Sequence, residues 1–488
     1  MAARAAERMG ATVLIIDNTH HVGGIFTSGL GSTDSYYHST IGGLPLRFFK
    51  DVAAHYGGTP GKPQWFFEPH VAESIFNGYL GAKGITVLLG RTVSSVTKSG
   101  ASITAMTLDN GTVVHGTQWI DASYEGDLMA ESGASYKIGR ESSAQYSESY
   151  AGWGGQQQTA NVNPFLSDGS LIPGVLPDPE ETKGQADGNI MAYSFRSCIT
   201  SNLSNAVPFP KPSGYDPNMF LGTQLYIQNN KLTQATDVIQ LQATVNNKFD
   251  LLSQNFFSAD YPNASLDYPD GDWDTRTSIL SNHYTYVAGL LYFLANETTV
   301  PASIRTQMNQ YGLAADEFTD NNNWPWQMYV REGRRLQGQY IMTQADLVPA
   351  AKKTDKVGVG LWSIDSHGCA LVASTQNGKP VVLQDGSMYI PEYKPYDLPF
   401  RSILPKQEEV TNLAVTCCVS SSHIGFSSLR VEPTFMVLGE AAGTAAGLAM
   451  EENVPLSEVT LSKLQSTLVD DGVVMHDNYH NHDVGRLR

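Results

Sequence analysis

The sequence predicts an α/β protein built around a parallel sheet, and three segments carry that prediction. Residues 1–17 have the pattern of a helix, a glycine turn and a hydrophobic strand that ends on Asp17. Residues 84–123 form a series of short strand patterns separated by turn residues. Residues 411–447 combine a buried strand with a helix rich in small residues. Helices that alternate with hydrophobic strands are typical of parallel sheets.

The opening segment matches the second half of a dinucleotide-binding unit. In such a unit a crossover helix leads to the second strand, and an acidic residue at the end of that strand binds the adenosine ribose. Asp17 has this position, but no first strand or G-x-G-x-x-G loop precedes the helix. Losing that strand would leave two rows of backbone groups unpaired, at about 1–3 kcal/mol for each buried group. We therefore expect a chain that begins at an internal Met; an unrelated helix and strand is the alternative.

Two further segments have the features of ligand-facing loops. Soon after Asp17 comes a glycine-rich stretch with Gly23 and Gly24, where the backbone could approach a planar or phosphate-bearing ligand closely. An ordinary surface loop is the alternative for this stretch. The last strand of residues 84–123 returns the chain to the sheet and ends on Asp121 and Ala122. Ligands of open α/β sheets bind at such carboxyl ends.

The helix near the C-terminus is the second strong signal. Small residues, among them Gly439, Ala441 and Ala442, recur at every third or fourth position of residues 431–447. Such a helix can pack tightly on a sheet or a cofactor. Its N-terminus can donate backbone N–H groups to a pyrophosphate or a flavin carbonyl. For this segment alone, a plain close-packed helix is the simpler interpretation.

The middle of the chain has a different composition. Pro, Gly, Asn and aromatic residues dominate between residues 150 and 330, where long irregular stretches separate helical patterns such as 279–295. We predict an inserted α+β substrate domain over residues 151–339. The dinucleotide-binding domain would then be discontinuous, at 1–150 and 340–465, and be followed by a C-terminal tail at 466–488.

The composition describes a globular chain with few charges. Of the 488 residues, 41% are hydrophobic and 16% are charged, against about 25% charged residues in typical soluble proteins. The net charge of -17 argues against a nucleic-acid partner, and no apolar run reaches the ~18 residues of a membrane span. The four cysteines show neither zinc spacing nor a C-x-x-C pair, so we predict buried free thiols and no metal site.

A surface rich in Ser, Thr, Asn and Tyr suits an extracellular protein. Four N-x-[ST] sequons, at Asn110, Asn202, Asn263 and Asn296, are compatible with a glycoprotein. The chain shows no signal peptide, although a truncated start would have removed one together with the first strand. We expect secretion if the full-length chain carries a signal peptide.

Taken together and in order, these segments resemble the FAD-dependent oxidoreductase family, among flavoproteins with dinucleotide-binding domains. The resemblance covers nearly the whole chain and departs from the family pattern at the missing glycine loop. Its further motifs read Ile41-Gly42-Gly43, Phe67-Glu68-Pro69-His70, Tyr136-Lys137-Ile138-Gly139-Arg140, Val330-Arg331-Glu332-Gly333-Arg334-Arg335, Asp365-Ser366-His367, Pro399-Phe400-Arg401-Ser402 and Arg430-Val431-Glu432-Pro433.

The resemblance implies a Rossmann-like FAD-binding domain, incomplete at its N-terminus, with a β-meander and the inserted domain. FAD is then the expected cofactor. Asp17 would bind the adenosine ribose, and Gly23 and Gly24 would lie close to the flavin side of the cofactor. Asp121 and Ala122 would close over its adenosine half.

The same resemblance gives the C-terminal helix a role. Gly439, Ala441 and Ala442 would place a helix N-terminus against the pyrophosphate or the pyrimidine ring of the flavin. The hydride chemistry would belong to the cofactor, while the protein supplies orientation and electrostatics.

A catalytic base is harder to assign. Oxidation of an alcohol or amine by a flavin requires a base within hydrogen-bond reach of the substrate proton, and His is the usual provider. His367, oriented by nearby Asp365, is the first candidate, and His423 is the second. For each histidine the alternative is a structural role.

Three functions remain open from the sequence. The first is an FAD-dependent oxidoreductase that acts by hydride transfer on a polar, carbohydrate-like small molecule. The second is a carbohydrate-processing lyase or hydrolase on the same fold, in which Glu68, His70 and His367 would be the acid and base residues. The third is an inactive flavoprotein homologue whose cofactor site is lost. Neither the substrate nor the electron acceptor follows from the sequence.

Overall fold

The computed structural model describes residues 1–35, 38–254, 256–391 and 394–475, which form a mixed helix and strand fold. Its α-helices are α1 (Ala2–Arg8), α2 (Gly43–His55), α3 (Pro69–Leu80), α4 (Asp127–Glu131), α5 (Leu221–Asn230), α6 (Trp273–Asn296), α7 (Ala302–Met308), α8 (His423–Leu429), α9 (Glu432–Glu452) and α10 (Leu461–Asp470). Its strands are β1 (Val13–Asp17), β2 (Ile85–Leu89), β3 (Val93–Ser99), β4 (Ser102–Leu108), β5 (Val113–His115), β6 (Trp119–Asp121), β7 (Tyr136–Lys137), β8 (Gln157–Ala160), β9 (Cys198–Thr200), β10 (Ala206–Val207), β11 (Ile239–Ala243), β12 (Lys248–Ser253), β13 (Gly312–Ala314), β14 (Arg335–Leu336), β15 (Lys356–Gly360), β16 (Ile364–Ser366), β17 (Ala370–Gln376), β18 (Lys379–Asp385), β19 (Met388–Ile390), β20 (Tyr396–Pro399) and β21 (Leu413–Val415).

Two pairs of parallel strands form the layer that the sequence predicted. β1 lies beside β2 in register, with Asp17 opposite Leu89, and β6 lies beside β21, with Asp121 opposite Val415. Both pairs contribute to one apolar cluster, in which Ile16 of β1 packs with buried residues of β6 and β21. Within the described ranges, however, no backbone ladder joins the two pairs.

The predicted meander is also present. β3, β4 and β5 form an antiparallel sheet in that order, and the turn between β4 and β5 places Gly111 at φ 80°. Trp119, at the start of β6, donates its indole N–H to the carbonyl of Ile103 at 3.2 Å. This contact ties the returning strand β6 to the meander and fixes where Asp121 emerges.

The small residues of α9 pack against α1. Gly439, Gly443 and Gly447 lie on the face of α9 that α1 covers. A Cβ atom at Gly443 would overlap the carbonyl oxygen of Ala2, and one at Gly447 would overlap Met9 Cβ. The stripe of glycines therefore explains how two helices approach each other closely, without a ligand between them.

The inserted region has a hydrophobic core of its own. Its sheet has the antiparallel order β10-β13-β9-β12-β11, and α6 packs on it through buried residues that include Val287, Leu290, Leu291 and Leu294. Asp272 caps α6, because its carboxylate accepts the N–H of Thr275 at 2.8 Å. The helical pattern over residues 279–295 is thus confirmed, although the helix begins six residues earlier, at Trp273.

One strand crosses the predicted domain boundary. β8, in the segment assigned to the inserted domain, pairs with β18 of the following domain, from Ala160 opposite Val382 to Gln157 opposite Asp385. At the other end, α10 covers the start of the predicted tail, and residues 476–488 of that tail lie outside the described residues.

The composition led to expectations about the four cysteines and about membrane-spanning helices. Cys198, Cys369 and Cys418 are buried and Cys417 is half-buried, and all four are free thiols, as expected. None of the described helices combines the length and the apolar character that a bilayer span needs.

Candidate cofactor and active site

Three of the segments that predicted a cofactor meet at Tyr124. The N–H of Ile25, in the glycine-rich loop, donates to the phenol oxygen of Tyr124 at 3.1 Å. The phenol in turn donates to Glu432 Oε1 at 2.7 Å, and Glu432 is the first residue of α9. A single chain of hydrogen bonds therefore joins the glycine loop, the segment after β6 and the N-terminus of α9.

The glycines of the loop are required by close packing within the protein. Gly23 and Gly24 have φ values of 104° and 62°, which favour glycine. A Cβ atom at Gly23 would overlap Thr27 and Phe76, and one at Gly24 would overlap the phenol oxygen of Tyr124. The two glycines thus hold the loop against its neighbours, and their contact with a flavin stays a prediction.

Asp17 lies where a ribose-binding acid is expected, at the carboxyl end of β1. Its Oδ1 accepts the N–H and the O–H of Thr19 at 2.7 and 2.8 Å, while Oδ2 accepts no hydrogen bond from any described residue. Burial raises the pKa of this carboxyl, against the hydrogen bonds from Thr19. Asp17 therefore retains a free acceptor for a hydroxyl group.

The expected role of Asp121 is not supported by the geometry. This side chain is only 3% exposed, and its Oδ1 accepts the N–H and O–H of Ser123 while its Oδ2 accepts the N–H of Met129 at 2.9 Å. Both oxygens thus hold the loop that leads into α4, so Asp121 would have to break these bonds to reach an adenosine. Ala122 beside it is exposed, and its carbonyl accepts a hydrogen bond from Cys417.

The place of the C-terminal helix also needs correction. α9 begins at Glu432, so Gly439, Ala441 and Ala442 lie about two turns inside it and cannot form its N-terminus. Gly439 approaches Met1, the N-cap of α1, and the two alanines are fully buried in the hydrophobic core. The pattern of small residues predicts the helix but not its first residue. Pro433 marks the first turn, and the N-terminus at this turn is the end of the helix that a ligand could contact.

A small cleft lies at that N-terminus. Asp34 and Ser35 line one side of it, and Val431, Pro433 and Thr434 of the helix start line the other. Burial raises the pKa of Asp34 to about 6, because it outweighs the neighbouring arginine charges. The cleft thus combines a helix N-terminus, which favours negative charge, with an acid that readily holds a proton.

His367 is held by an aspartate from the inserted domain. Its Nδ1 lies 2.5 Å from Asp260 Oδ2, and the side chain is 24% exposed. Burial and the charge of Arg331 lower the pKa of the imidazole despite Asp260. The imidazole is therefore neutral at neutral pH, with Nδ1–H donated to Asp260 and Nε2 available as a base.

Asp260 itself is fixed as an anion. Its Oδ1 lies 2.7 Å from Arg331 Nη1, and its backbone N–H donates to Ser253 Oγ at 3.1 Å. Burial favours the neutral acid, but the charges of Arg331 and His367 outweigh it and lower the pKa of Asp260 to about 2. The pair of Asp260 and His367 has the arrangement of a base and the carboxylate that orients it.

The prediction that Asp365 orients His367 is wrong, because the carboxylate that contacts the imidazole is that of Asp260. Asp365 Oδ1 is 4.0 Å from His367 Nε2, too far for a hydrogen bond. The carbonyl of Asp365 instead accepts from Arg430 Nε and Nη2 at 3.2 and 2.7 Å, and Trp362 donates its indole N–H to the carboxylate at 3.3 Å. Each side chain is thus held by a tertiary partner and not by its neighbour two positions away, His367 by Asp260 and Asp365 by Trp362.

Three arginines surround the side chain of Tyr329. Arg331 and Arg196 lie over its ring, 4.8 and 5.6 Å from the centroid, and Arg430 donates to its phenol oxygen at 3.2 Å. Each arginine also faces a carboxylate. These partners are Asp260 for Arg331, Asp250 for Arg196 and Asp365 for Arg430.

The second candidate base, His423, has a structural environment. It is fully buried, its Nδ1 lies 2.9 Å from Glu332 Oε1, and its N–H donates to Glu141 Oε2 at 2.9 Å. Burial disfavours the imidazolium, but Glu332 outweighs it and raises the pKa of His423 to about 10. A buried histidine that already carries its second proton cannot accept one from a substrate, so the geometry speaks against this candidate.

A further acidic cluster lies elsewhere and already holds a cation. Glu68, His70 and Glu317 could together reach a metal ion, but Lys248 Nζ lies 2.7 Å from Glu68 and 2.6 Å from Glu317. The ammonium group stands where a bound cation would be. Glu68 and His70, two of the residues considered for acid and base chemistry, are thus part of an ion-pair network in which Glu68, Lys248 and Glu317 are buried and His70 is exposed.

Sequence reasoning missed the residues that complete the site. Asp260 follows a strand of the inserted domain without any recognisable motif, and its role depends on a contact with His367 across 107 positions. Arg331 and Glu432 lie inside motifs that carried the family resemblance. The Pro at position 433 marks a helix start, and could have drawn attention to Glu432 at the first turn.

One comparison with known proteins identifies the family of this chain. A family model described as FAD dependent oxidoreductase matches residues 1–468, nearly the whole chain. A search among curated proteins finds no match. Because the family model spans both parallel strand pairs, the inserted region and the cleft at α9, the chain belongs to the family of FAD-dependent oxidoreductases, and FAD is the cofactor of that family.

Proposed function

We propose that this enzyme oxidises a polar hydroxyl compound, with His367 as the base. The observation that carries the proposal is the contact of His367 Nδ1 with Asp260 Oδ2 at 2.5 Å, which anchors a partly exposed imidazole and leaves Nε2 to act as the base. A base in this form can take the proton of a substrate hydroxyl while hydride leaves the adjoining carbon. FAD, when bound, supplies the hydride acceptor.

The neighbouring residues support that base in defined ways. Asp260 holds the imidazole in one tautomer and stabilises the imidazolium that forms when Nε2 takes a proton. Arg331 keeps Asp260 ionised and in place. Arg430, directly before the first turn of α9, connects the strand that carries Asp365 to the cleft at the helix N-terminus.

Two ends of an FAD molecule have candidate partners here. Asp17 offers a free carboxylate oxygen for the adenosine ribose, and the N–H groups at the start of α9 would face the flavin end. The cleft lined by Pro433 and Thr434 has a volume of only about 10 Å³ in this structure, so it would have to widen to admit the flavin ring. The described residues include no glycine-rich phosphate loop of the G-x-G-x-x-G type.

The substrate we propose is neutral and polar. The three arginines near His367 are each matched by a carboxylate, so the cluster favours a neutral group over a carboxylate. A carbohydrate-like molecule satisfies this requirement. Trp324 and Trp326 do not contribute an aromatic wall for a sugar ring, since Trp324 is buried in the inserted core and Trp326 stacks on His21 with 3.4 Å between ring centroids.

We further propose that a strand preceding Met1 completes the parallel layer. The support is the pair of unjoined ladders: β1 and β6 each pair on one edge only within the described residues. Leu14 of β1, whose pattern is that of a buried strand, is 41% exposed. If this proposal is right, FAD affinity increases sharply when the upstream sequence is included; tight binding by the chain that starts at Met1 would contradict it.

The test of the proposed reaction is anaerobic reduction of the FAD-loaded enzyme by a panel of neutral polyols and sugars. We expect a member of the panel to bleach the flavin absorbance, and His367→Gln to slow that bleaching by about 10²–10⁴-fold. His55→Gln, on the exposed end of α2, is the matched control and leaves the rate unchanged. Equal rates for His367→Gln and the wild type would refute the role of His367.

A further inference from the structure

The four N-x-[ST] sequons differ in what holds the side-chain amide of each asparagine. Asn110 lies at the turn between β4 and β5, where both it and Thr112 are exposed. Its Oδ1 accepts the backbone N–H of Thr112 at 3.0 Å, while its Nδ2 donates no hydrogen bond to any described residue. The surroundings are open, since a Cβ atom at Gly111 would meet nothing within 4 Å. Both amide hydrogens of Asn110 are therefore free, at the tip of a surface loop.

A second free amide belongs to Asn202, in the inserted region. Asn202 and Ser204 are both exposed. The Oδ1 atom of Asn202 accepts the N–H and the O–H of Ser204 at 3.2 and 2.8 Å, and Nδ2 again donates to no described residue. Leu203, between these two residues, is 64% exposed, the largest fraction among the exposed large hydrophobic side chains of the described residues. A bulky polar group on Nδ2 would thus lie beside an apolar side chain that the fold leaves uncovered.

Asn263, in contrast, is held inside the fold. Its Nδ2 donates to the carbonyls of Gly174 and Leu371, at 3.0 Å each, and its Oδ1 accepts the N–H of Leu371 at 3.3 Å. Ser265, the hydroxyl residue of this sequon, is buried, and its Oγ lies 3.1 Å from His283 Nε2. A sugar on Asn263 Nδ2 would replace one of the two amide hydrogens, so it would break a contact that joins the inserted region to its neighbours.

The amide of Asn296 is engaged at the end of α6. Asn296 is the last residue of this helix and is exposed, but its Nδ2 donates to the carbonyl of Tyr292 at 3.0 Å. This bond folds the side chain back onto the last turn of the helix. A sugar on Nδ2 would compete with the bond, so the Asn296 sequon resembles that of Asn263 and not those of the two free amides.

We propose that Asn110 and Asn202 carry N-linked oligosaccharides, whereas Asn263 and Asn296 do not. Sequons of this type are acceptors in secreted proteins, where the attached sugars are bulky and lie on the surface. The two sites that we assign combine an exposed asparagine, an exposed hydroxyl residue and a free Nδ2. Neither lies among the residues of the candidate active site, so the assignment does not depend on the flavin reaction.

The modification is a group transfer to the side-chain amide. One N–H bond of the asparagine breaks, and Nδ2 forms a bond to the anomeric carbon of the first sugar. The co-reactant is an oligosaccharide linked to a lipid diphosphate. Its bond between sugar and phosphate breaks, the lipid diphosphate leaves with the bonding electrons, and the amide proton goes to solvent.

Mass spectrometry of intact peptides tests the proposal on the full chain, purified from the cells that produce it. We expect peptides that contain Asn110 or Asn202 to carry the mass of an oligosaccharide, which an N-glycosidase removes. Peptides that contain Asn263 or Asn296 should have the mass of the unmodified sequence. Absence of sugar from Asn110 or Asn202 would overturn the proposal, and so would a sugar on Asn263 or Asn296 of the folded protein.

Variants of the hydroxyl residues test the same assignment without changing an asparagine. Thr112→Ala and Ser204→Ala each destroy one sequon at an exposed position, so each variant should lose one oligosaccharide and migrate faster in a denaturing gel. Thr298→Ala is the matched control, because Thr298 is the exposed hydroxyl residue of the Asn296 sequon, and its mobility should equal that of the wild type. Wild-type mobility of either of the first two variants, or faster migration of the control, would contradict the assignment.

Discussion

Replacing Asp260 with Asn removes the anion that orients His367. In the folded protein the pKa of Asp260 is lowered to about 2 from an ordinary value of 3.8, and the difference corresponds to about 2 kcal/mol of preference for the carboxylate. The amide can still accept or donate a hydrogen bond, but it no longer fixes the tautomer of the imidazole. We expect reduction of the enzyme-bound flavin by substrate to slow by about 10²–10⁴-fold.

The same substitution should change the pH profile in a defined direction. Asp260 raises the pKa of His367, against the effects of burial and Arg331. Without the carboxylate the pKa of His367 falls further, so the acid limb of the pH–rate profile moves to lower pH. Stopped-flow absorbance of the flavin between pH 5 and 9 measures both the rate and the limb.

Loss of folding must be separated from loss of orientation. Arg331 would be left buried without its carboxylate, at a cost of about 3–5 kcal/mol in the free energy of unfolding. Denaturant titration of Asp260→Asn measures that cost, and the kinetic assay is carried out where the variant is fully folded. A folded variant with the rate and acid limb of the wild type would refute the role assigned to Asp260.

Two further predictions concern stability. Gly443→Ala should lower the free energy of unfolding by about 1–3 kcal/mol, because the new methyl group overlaps the carbonyl of Ala2, whereas Gly78→Ala, in open space on α3, should raise it by about 0.5–1 kcal/mol; equal effects in denaturant titration would contradict the packing of α1 on α9. His423→Gln should lower the free energy of unfolding by about 1–3 kcal/mol, because Glu332 loses the charged donor of His423 but keeps its ion pair with Arg335 and the N–H of Met191. Because the pKa of His423 is raised to about 10, its imidazolium persists throughout neutral pH. The acid limb of the pH–rate profile should therefore stay in place when the rate is measured on folded His423→Gln protein.

Local sequence patterns predicted the framework well. The hydrophobic run that ends on Asp17 forms β1, and the alternating segment that ends on Asp121 forms the meander and β6. These elements bury apolar residues at the period of their own secondary structure, so their signal lies within a few neighbouring positions.

The polar contacts of the site could not be predicted in the same way. Asp260 and His367 are 107 positions apart and meet only because the inserted region packs on the strands that follow it. Asp365, which is adjacent in sequence, finds Arg430 and Trp362 instead. Which carboxylate orients an imidazole depends on tertiary packing that no local pattern records.

The glycine stripe of α9 shows a different limit. The sequence predicts that Gly439 contacts a cofactor because small residues permit close approach, and the structure shows close approach at this position. The partner is α1, however, and the helix end that faces the cleft lies about two turns earlier, at Glu432. The small residues indicate that one face of α9 can be approached closely. Whether α1 or a ligand approaches that face depends on the tertiary structure.

The central claim is that His367 takes the hydroxyl proton of a neutral polar substrate, while FAD, when bound, would supply the hydride acceptor. It is tested most directly by anaerobic stopped-flow reduction of the FAD-loaded wild type and His367→Gln by the polyol that reduces the wild type fastest. We predict bleaching of the flavin by the wild type, with an acid limb set by His367, and a loss of about 10²–10⁴-fold in His367→Gln. Bleaching of the variant at the rate and with the pH profile of the wild type would contradict the account.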